Sequence, residues 1–242
     1  MDFYTVFWRE MISFRRVFWK FMATRLVSPT LYLVAFGWGL GRGIRTDGGS
    51  YLDFVVPGII ALSAMTVSFN ATGISLNMSR LYHKTLEEYI LAPVSAFSFT
   101  LGKVLAGTVR GGVGALIILV LAYFFGAHLQ IGFWFFVVIF ITSFLFAALG
   151  VVAAMIVSSH EDMSNFSTFV ILPMTFLCGT FFRAESLPGV VAGIINILPL
   201  THASNSLRSL ALGNGLPLTP LFILFAYLVL FLAAAVWVVR RA

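Results

Sequence analysis

The chain has 242 residues, of which 60% are hydrophobic, 16% aromatic and only 10% charged. Soluble domains carry about 25% charged residues, so this composition excludes an ordinary soluble enzyme and indicates an integral membrane protein. The formal charge of +6 is expected at lipid headgroups rather than at a nucleic acid. Because one span needs roughly 20 apolar residues, the length allows about six or seven spans and little room for a soluble domain.

Residues 1–25 are predicted to form an amphipathic helix that lies along the membrane surface. Arg9, Arg16 and Lys20 fall on one face, and Trp8 and Trp19 suit the headgroup level. No removable signal peptide is expected, because this segment alternates charged and aromatic residues. The opposite, apolar face comprises Phe3, Phe7, Met11, Phe14 and Phe18.

Six apolar runs are predicted to cross the membrane: residues 27–41, 54–79, 97–125, 131–157, 163–182 and 218–239. With six spans, Arg240 and Arg241 return to the side that holds the basic residues of the first helix, as the positive-inside rule favours. Both termini are therefore expected in the cytoplasm.

The segment 183–217 is apolar enough to suggest a seventh span, but its prolines and glycines would break a straight helix. We expect two short helices that enter the outer face and return, which is possible only where protein or water covers the backbone. The predicted fold is an all-α integral membrane domain over residues 1–242.

The connection between the second and third spans, residues 80–96, contains "LYHKTLEEYILAPVS". Lys84, Glu87 and Glu88 point away from a partly apolar helical face, and Pro93 would end the helix. We predict a short amphipathic cytoplasmic helix. The alternative is a solvated loop that only carries topology charge, but such a loop does not require adjacent glutamates.

Three stretches carry a family resemblance: "YLDFVVPGII", "RLYHKTLEEYILAPVSAFSFTLGKVL" and "PMTFLCGTFFRAESLPGVVAGIINILPLTHASNSLRSLALG". They resemble the permease subunits of ABC-2 type exporters, which include daunorubicin-resistance, nodulation-factor and O-antigen export permeases. The resemblance covers nearly the whole chain, and "LEEYILAPVS" is its most specific element. It implies a bacterial or archaeal inner-membrane protein that forms a dimer of two six-span units, either two identical copies or this chain with a related permease.

The resemblance also implies a partner, since in this family the helix at 80–96 couples to a separate ATP-hydrolysing subunit. That subunit would bind ATP and magnesium, and no cofactor is expected in this chain. The first helix would lie beside the coupling helix. Carried over by position, the contact residues are Lys84, Leu86, Glu87, Glu88, Tyr89 and Leu91, together with Arg9, Arg15 and Arg16.

The sequence contains no catalytic motif that we recognise, so the chain is not expected to be an enzyme by itself. No G-x-x-x-x-G-K-[ST] phosphate loop occurs. Ser158, His160 and Asp162 are too close in sequence to make a nucleophile, base and orienting group by spacing alone. The four histidines are scattered, so no metal site is expected.

The second span is rich in hydroxyl and amide side chains, which either bond neighbouring helices or line a transport path. In the resembling exporters the second and fifth spans bound that path, so the path residues would be Phe69, Asn70, Thr175, Phe176, Cys178 and Thr180. Phe181 and Phe182 are predicted to form an apolar outer gate, or else to face lipid.

Such a lining suits an amphipathic cargo: a drug, a lipid or a glycolipid. A polysaccharide or O-antigen permease of the same superfamily is one alternative. An ion-coupled secondary transporter is another, although it would normally place acidic residues in mid-span.

Arg110 is expected to lie inside the third span, about 10 Å beyond Lys103 along the helix. A lone arginine there is costly unless it reaches the interface or a partner. We expect an ion pair with Glu161 or Asp162 in the connection "SSHEDMSN".

Overall fold

The computed structural model describes residues 2–34, 45–46, 49–82, 84, 94–178, 193 and 195–241. Its helices are α1 Asp2–Leu33, α2 Tyr51–Leu81, α3 Ala96–Phe124, α4 Phe133–Ile156, α5 His160–Phe166, α6 Leu172–Leu177, α7 Pro199–Ala211 and α8 Leu218–Arg241. A π-helical turn, Ser167–Ile171, joins α5 to α6. The two strands are β1 Arg45–Thr46 and β2 Gly49–Ser50, which pair in antiparallel fashion. Because each strand has only two residues, the described part of the chain is almost entirely helical.

Local sequence fixes several helix ends. Ser95 and Ser159 cap α3 and α5, where their hydroxyl oxygens accept hydrogen bonds from the backbone N–H of Ser98 and Asp162. Pro199 begins α7 at a position where a proline costs no hydrogen bond. After α7 the chain turns at Gly213, whose φ of +76° strains any residue with a Cβ.

Among the described residues, four helices are long and apolar enough to cross a membrane: α2, α3, α4 and α8. They coincide with the predicted second, third, fourth and sixth spans. The predicted fifth span, 163–182, is described only to residue 178 and consists of α5, the π-helical turn and α6. The predicted first span lies partly in α1 and partly outside the described residues, so six spans remain a prediction.

One continuous helix, α1, runs from Asp2 to Leu33 and so contains the predicted surface helix together with the start of the predicted first span. The face of α1 that packs on the bundle differs from the predicted apolar stripe. Val6 and Phe14 are only 2% and 7% exposed, whereas Phe3 is 42% exposed. The packed face is therefore the i, i+4, i+8 row Val6, Glu10, Phe14, which faces α3.

Helix α2 lies at the centre of the described bundle, between α3 and α4, and most of its residues are buried. Its contact with α4 is a backbone-to-backbone approach at Gly150. A Cβ added there would lie 2.7 Å from the Phe69 carbonyl oxygen and 3.0 Å from the Gly73 nitrogen. The absence of a side chain at Gly150 lets the two helices come this close.

Helix α7 belongs to the predicted re-entrant region and packs against α2, α4 and α8. Arg208 Nε donates to the Phe54 carbonyl oxygen at 3.1 Å, so α7 lies at the first turn of α2. The α3–α4 connection is at the same end, since Gln130 N donates to the Ala211 carbonyl oxygen at 2.9 Å. The re-entry itself stays a prediction because residues 179–192 lie outside the described part.

One hydrophobic cluster marks the opposite end of the bundle. It joins Val6 near the start of α1, Leu76 near the end of α2, Phe99 in the first turn of α3 and Ala235 near the end of α8. The first turns of α1 and the last turns of α8 therefore contribute to one cluster, at the end of the bundle that also bears the 80–96 connection. Which side of the membrane this end faces stays a prediction.

Candidate functional site

A buried charge cluster connects α1 to α3. Glu10 accepts from Lys103 Nζ through Oε1 at 2.5 Å and from Arg110 Nη2 through Oε2 at 2.9 Å. Arg110 Nη2 also reaches the Glu10 carbonyl oxygen at 3.0 Å, and its guanidinium carbon lies 5.4 Å from the centre of the Phe14 ring. The Glu10 carboxylate thus forms ion pairs with both basic residues of α3, Lys103 and Arg110.

The predicted pairing of Arg110 with Glu161 or Asp162 is wrong, because Arg110 binds Glu10. Glu161 and Asp162 are exposed in the first turn of α5. At that position the positive end of the helix dipole stabilises their negative charges. The prediction failed because the packing of α1 against α3, which brings Glu10 to Arg110, cannot be read from two positions 100 residues apart in the sequence.

The ionisation of Glu10 follows from this geometry. Burial raises the pKa of the Glu10 carboxyl, but the charges and hydrogen bonds of Lys103 and Arg110 outweigh burial and bring the pKa below its ordinary value. Glu10 is therefore an anion at neutral pH. The sequence signal that could have revealed it is that Glu10 is the one acidic residue after Asp2 on an otherwise basic helix, at the position between Val6 and Phe14.

Two cavities flank α2, and the wall residues Val67 and Asn70 belong to both. The first, which we call the α1 cavity, has a volume of about 560 Å³ and adjoins the charge cluster. Its walls are Arg9, Glu10, Ser13, Phe14, Val17, Phe21, Val67, Asn70, Ala71, Ile74, Ser75, Ser79, Lys103 and Arg110.

The second cavity, which we call the α2 cavity, has a volume of about 430 Å³ and lies between α1, α2, α3 and the segment from α5 to α6. Hydroxyl and amide groups line it together with aliphatic side chains. Its walls are Thr24, Tyr32, Ile59, Leu62, Ser63, Thr66, Val67, Asn70, Ile118, Ser164, Ser167, Thr168, Ile171, Leu172 and Thr175.

Of the predicted path residues, the structure brings Asn70 and Thr175 together in the wall of the α2 cavity. Phe69 is fully buried in the core, where its ring stacks on Phe166 at 5.8 Å. Cys178 is also fully buried, and Phe176 is 55% exposed on the surface. Thr180 and the predicted gate residues Phe181 and Phe182 lie outside the described residues.

The polar residues of α2 divide into two groups. Ser68 and Thr72 are buried and bond backbone carbonyls, Thr72 Oγ1 reaching Ala147 of α4 at 2.8 Å. Thr72 therefore joins α2 to α4, as the alternative of bonding between neighbouring helices predicts, whereas Ser68 bonds only the Ala64 and Met65 carbonyl oxygens within α2. Ser63 and Thr66 instead line the α2 cavity beside Asn70.

In the polar wall opposite α2, sequence reasoning predicted Thr175 but missed the other hydroxyl residues. Ser164, Ser167, Thr168 and Thr175 recur at helical spacing and face the α2 cavity across the π-helical turn. That turn is a rare conformation that is frequent at functional sites. The run of hydroxyls at spacings of three, four and seven could have revealed this wall before the structure was known.

At the end of the bundle that bears the 80–96 connection, Arg80 fastens α2 to α4. Its Nη1 atom donates to the carbonyl oxygens of Ala154, Met155 and Val157 at 3.0, 2.6 and 3.1 Å. These carbonyls lack partners at the C-terminus of α4.

The predicted ATPase-contact residues are described in part. Arg9, Arg15 and Arg16 are exposed on α1. Lys84 is exposed and has a φ of +51°. Leu86, Glu87, Glu88, Tyr89 and Leu91 lie outside the described residues, so the coupling helix remains a prediction.

A bundle with four membrane-length helices and polar cavities between them defines a multi-pass membrane protein. The profile of the family described as ABC-2 type transporter matches residues 1–212. The chain therefore belongs to the ABC-2 type transporter family, the transmembrane components of such transporters.

Two kinds of relative support this assignment. The inner membrane transport permease YadH of Escherichia coli (strain K12) is 29% identical over 228 residues, which cover 92% of this chain and 88% of the relative. Nodulation protein J of Rhizobium meliloti (strain 1021) is 30% identical over 210 residues, covering 86% and 80%. Nodulation protein J of Neorhizobium galegae is 29% identical, and the aligned region covers 100% of this chain and 94% of the relative.

Proposed function

We propose that this chain is the permease subunit of an exporter in a bacterial inner membrane, driven by a separate ATPase. Two copies form the transmembrane unit, and both termini lie in the cytoplasm. ATP binding closes the ATPase subunits, the 80–96 helices transmit the movement, and the space between the permease copies narrows to expel an amphipathic cargo outward.

The observation that carries the cargo class is the mixed lining of the α2 cavity. Ser63, Thr66 and Asn70 of α2 face Thr168 and Thr175, while aliphatic residues supply the remaining wall. A site of this kind holds molecules that have both polar and apolar parts. A drug, a lipid or a glycolipid fits it, and polysaccharide export by the same architecture is the second candidate.

Ion coupling has less support. A proton or sodium relay uses acidic groups inside the membrane. Glu10 is already bound by two cations. Asp53 lies in the first turn of α2, where its carboxylate accepts from His128 N at 2.7 Å. Neither carboxylate lies in the α2 cavity.

The test is reconstitution with the ATPase whose gene neighbours that of this chain, followed by cargo-stimulated ATP hydrolysis in vesicles. The double variant Glu87→Lys, Glu88→Lys should reduce stimulation at least about tenfold, because reversed charges prevent docking. Its thermal stability should equal that of the wild type. The matched control Glu185→Lys, on the predicted outer side, should hydrolyse ATP normally.

Two results would contradict the proposal. If cargo stimulated ATP hydrolysis fully in the double variant, Glu87 and Glu88 would not be needed for docking to the ATPase. Uphill cargo accumulation by the chain alone, driven by an ion gradient and without ATP, would show that the protein is a secondary transporter and not an ATP-driven exporter.

A further inference from the structure

Several hydroxyl groups in the wall of the α2 cavity share one hydrogen-bonding arrangement. Thr66 Oγ1 donates to the Leu62 carbonyl oxygen at 2.9 Å, and Thr175 Oγ1 donates to the Ile171 carbonyl oxygen at 3.0 Å, each to the residue four positions earlier. The other wall hydroxyls that donate in this way are those of Thr24, Ser167 and Thr168. In each of these groups the single hydroxyl hydrogen is therefore already used.

A hydroxyl bonded in this way presents acceptors to the cavity. Its oxygen has two lone pairs, and the bond to the backbone carbonyl uses the hydrogen but neither lone pair. Thr66 lies on α2, whereas Thr168 and Thr175 lie on the facing segment from α5 to α6. A ligand group between these two walls therefore meets hydrogen-bond acceptors on both sides.

This lining disfavours an anionic head group. Ionised phosphate and carboxylate groups carry acceptors and no donor, so their oxygens would face the threonine lone pairs, or a threonine would have to give up its backbone carbonyl. A sugar hydroxyl both donates and accepts. It can donate to the threonine oxygens and accept from the Asn70 amide and the Ser63 hydroxyl, which supply donors on α2.

The same walls disfavour a cationic head group. The described wall residues include no carboxylate, and a buried cation without a counter-charge is costly. The rest of the wall is aliphatic and includes Ile59, Val67 and Ile171. Leu172, which is 48% exposed, lines the cavity where it reaches the surface, so an acyl chain can leave the cavity along an apolar side chain.

We infer that the α2 cavity selects an uncharged lipid whose head group carries several hydroxyl donors, such as a glycosyl lipid, and that Thr66 and Thr175 determine this specificity. This specificity rests on the proposed function, in which the α2 cavity holds the cargo. It narrows the cargo from amphipathic molecules in general to those with an uncharged, donor-rich head group. Anionic phospholipids and acidic drugs are rejected by their hydrogen bonding and not by their size.

The experiment titrates lipids with identical acyl chains into the purified full-length protein, in an oligo-oxyethylene detergent that carries no sugar, and measures adducts by native mass spectrometry. The lipids are dioctanoylglycerol glucoside, dioctanoyl phosphatidic acid and dioctanoyl phosphatidylcholine. The glucoside should bind at least about tenfold more tightly than either phospholipid. Thr66→Val and Thr175→Val, which each remove one acceptor oxygen, should each weaken glucoside binding by about fivefold and leave phospholipid binding unchanged.

Two control variants separate the loss of an acceptor from a loss of folding. Thr108 Oγ1 makes the same kind of bond, to the Val104 carbonyl oxygen at 2.8 Å, but Thr108 is a wall residue of neither cavity. Thr108→Val should therefore bind the glucoside as wild type does. Thr66→Ser keeps the acceptor oxygen in the α2 cavity and should also bind the glucoside normally.

Phosphatidic acid that binds as tightly as the glucoside would overturn the inference, and so would a lack of glucoside binding. Wild-type glucoside affinity in both Thr66→Val and Thr175→Val would overturn it as well, because the lipid would then lie elsewhere. These titrations contain no ATPase, whereas the Glu87, Glu88 experiment measures ATP hydrolysis. A failure of the cargo specificity and a failure of the exporter proposal are therefore distinguishable.

Discussion

Glu10 is the residue on which the contact between α1 and α3 depends. Its side chain is 14% exposed, and those of Lys103 and Arg110 are 7% and 15% exposed. Buried ion pairs of this kind contribute less than their attraction suggests, because both ions lose water. Removing one partner is nevertheless strongly unfavourable, since the other charges stay buried without compensation.

Replacing Glu10 by Gln should lower the free energy of unfolding by about 2–4 kcal/mol, because Lys103 and Arg110 would face a neutral amide. Chemical denaturation of the protein in detergent micelles would measure the loss. Arg16→Gln, which alters an exposed charge on the same helix, should change stability by less than about 0.5 kcal/mol. Equal stability of Glu10→Gln and wild type would contradict this prediction.

The same residue predicts a pH dependence. The folded-state pKa of Glu10 is below its ordinary value of 4.5, so its contribution to stability is fully present above about pH 4.5. That contribution is lost as the pH falls from there through the lowered folded-state pKa. Acid unfolding profiles of wild type and Glu10→Gln should therefore converge below pH 4.5, and profiles that stay parallel would contradict the assignment.

At the scale of helices, the bundle depends on close contact between α2 and its two neighbours. Gly150 of α4 meets the backbone of α2, and Gly111 of α3 would place a Cβ 2.8 Å from Ser143 Oγ and Ser68 Cβ. Small residues allow such approach in membranes, where packing rather than the hydrophobic effect drives helix association. Arg80 adds a polar fastening between α2 and α4 at one end.

Gly150→Ala should destabilise the protein by about 1–3 kcal/mol, because the new methyl group would press on backbone atoms that cannot rotate away. Gly112→Ala is the matched control, since nothing lies within 4 Å of a Cβ at Gly112. It should leave stability unchanged or raise it by up to about 1 kcal/mol through helix propensity. Thermal unfolding of both variants in detergent would give the comparison, and similar midpoints would refute the packing argument.

At the scale of the whole molecule, the described bundle has two distinct ends. Arg208 of α7, Phe54 of α2 and Gln130 of the α3–α4 connection mark one end. Val6, Leu76 and Ala235 share a cluster at the other. An even number of spans follows if both ends of the chain lie on the second side, as the charge distribution predicts.

Cysteine labelling tests this topology, because Cys178 is the single cysteine of the chain and Cys178→Ser provides a background without one. In that background, Arg240→Cys and Ser13→Cys should react with a membrane-impermeant maleimide only after cells are permeabilised. Asn214→Cys, in the exposed α7–α8 connection, should react in intact cells. Labelling of Arg240→Cys but not of Ser13→Cys in intact cells would require an odd number of spans.

The family, the membrane class and the bounds of α2, α3, α4 and α8 could be predicted from the sequence. Long apolar runs and the motif around residues 80–105 are local properties, and lipid forces every apolar run of that length into a helix. The resemblance placed Asn70 and Thr175 on helices that bound one path, and both residues line the α2 cavity; their role in a path stays a prediction.

Side-chain contacts that depend on how distant helices pack could not be predicted from the sequence. Arg110 binds Glu10, 100 residues away in sequence, because the continuous helix α1 packs along α3. The same docking creates the α1 cavity, and the burial of Phe69 follows from the close approach of α2 to its neighbours. The sequence by itself determined which segments are helical and apolar, because each residue carries its own transfer energy; only the tertiary structure decided which charges meet, because an ion pair depends on where two distant backbones lie.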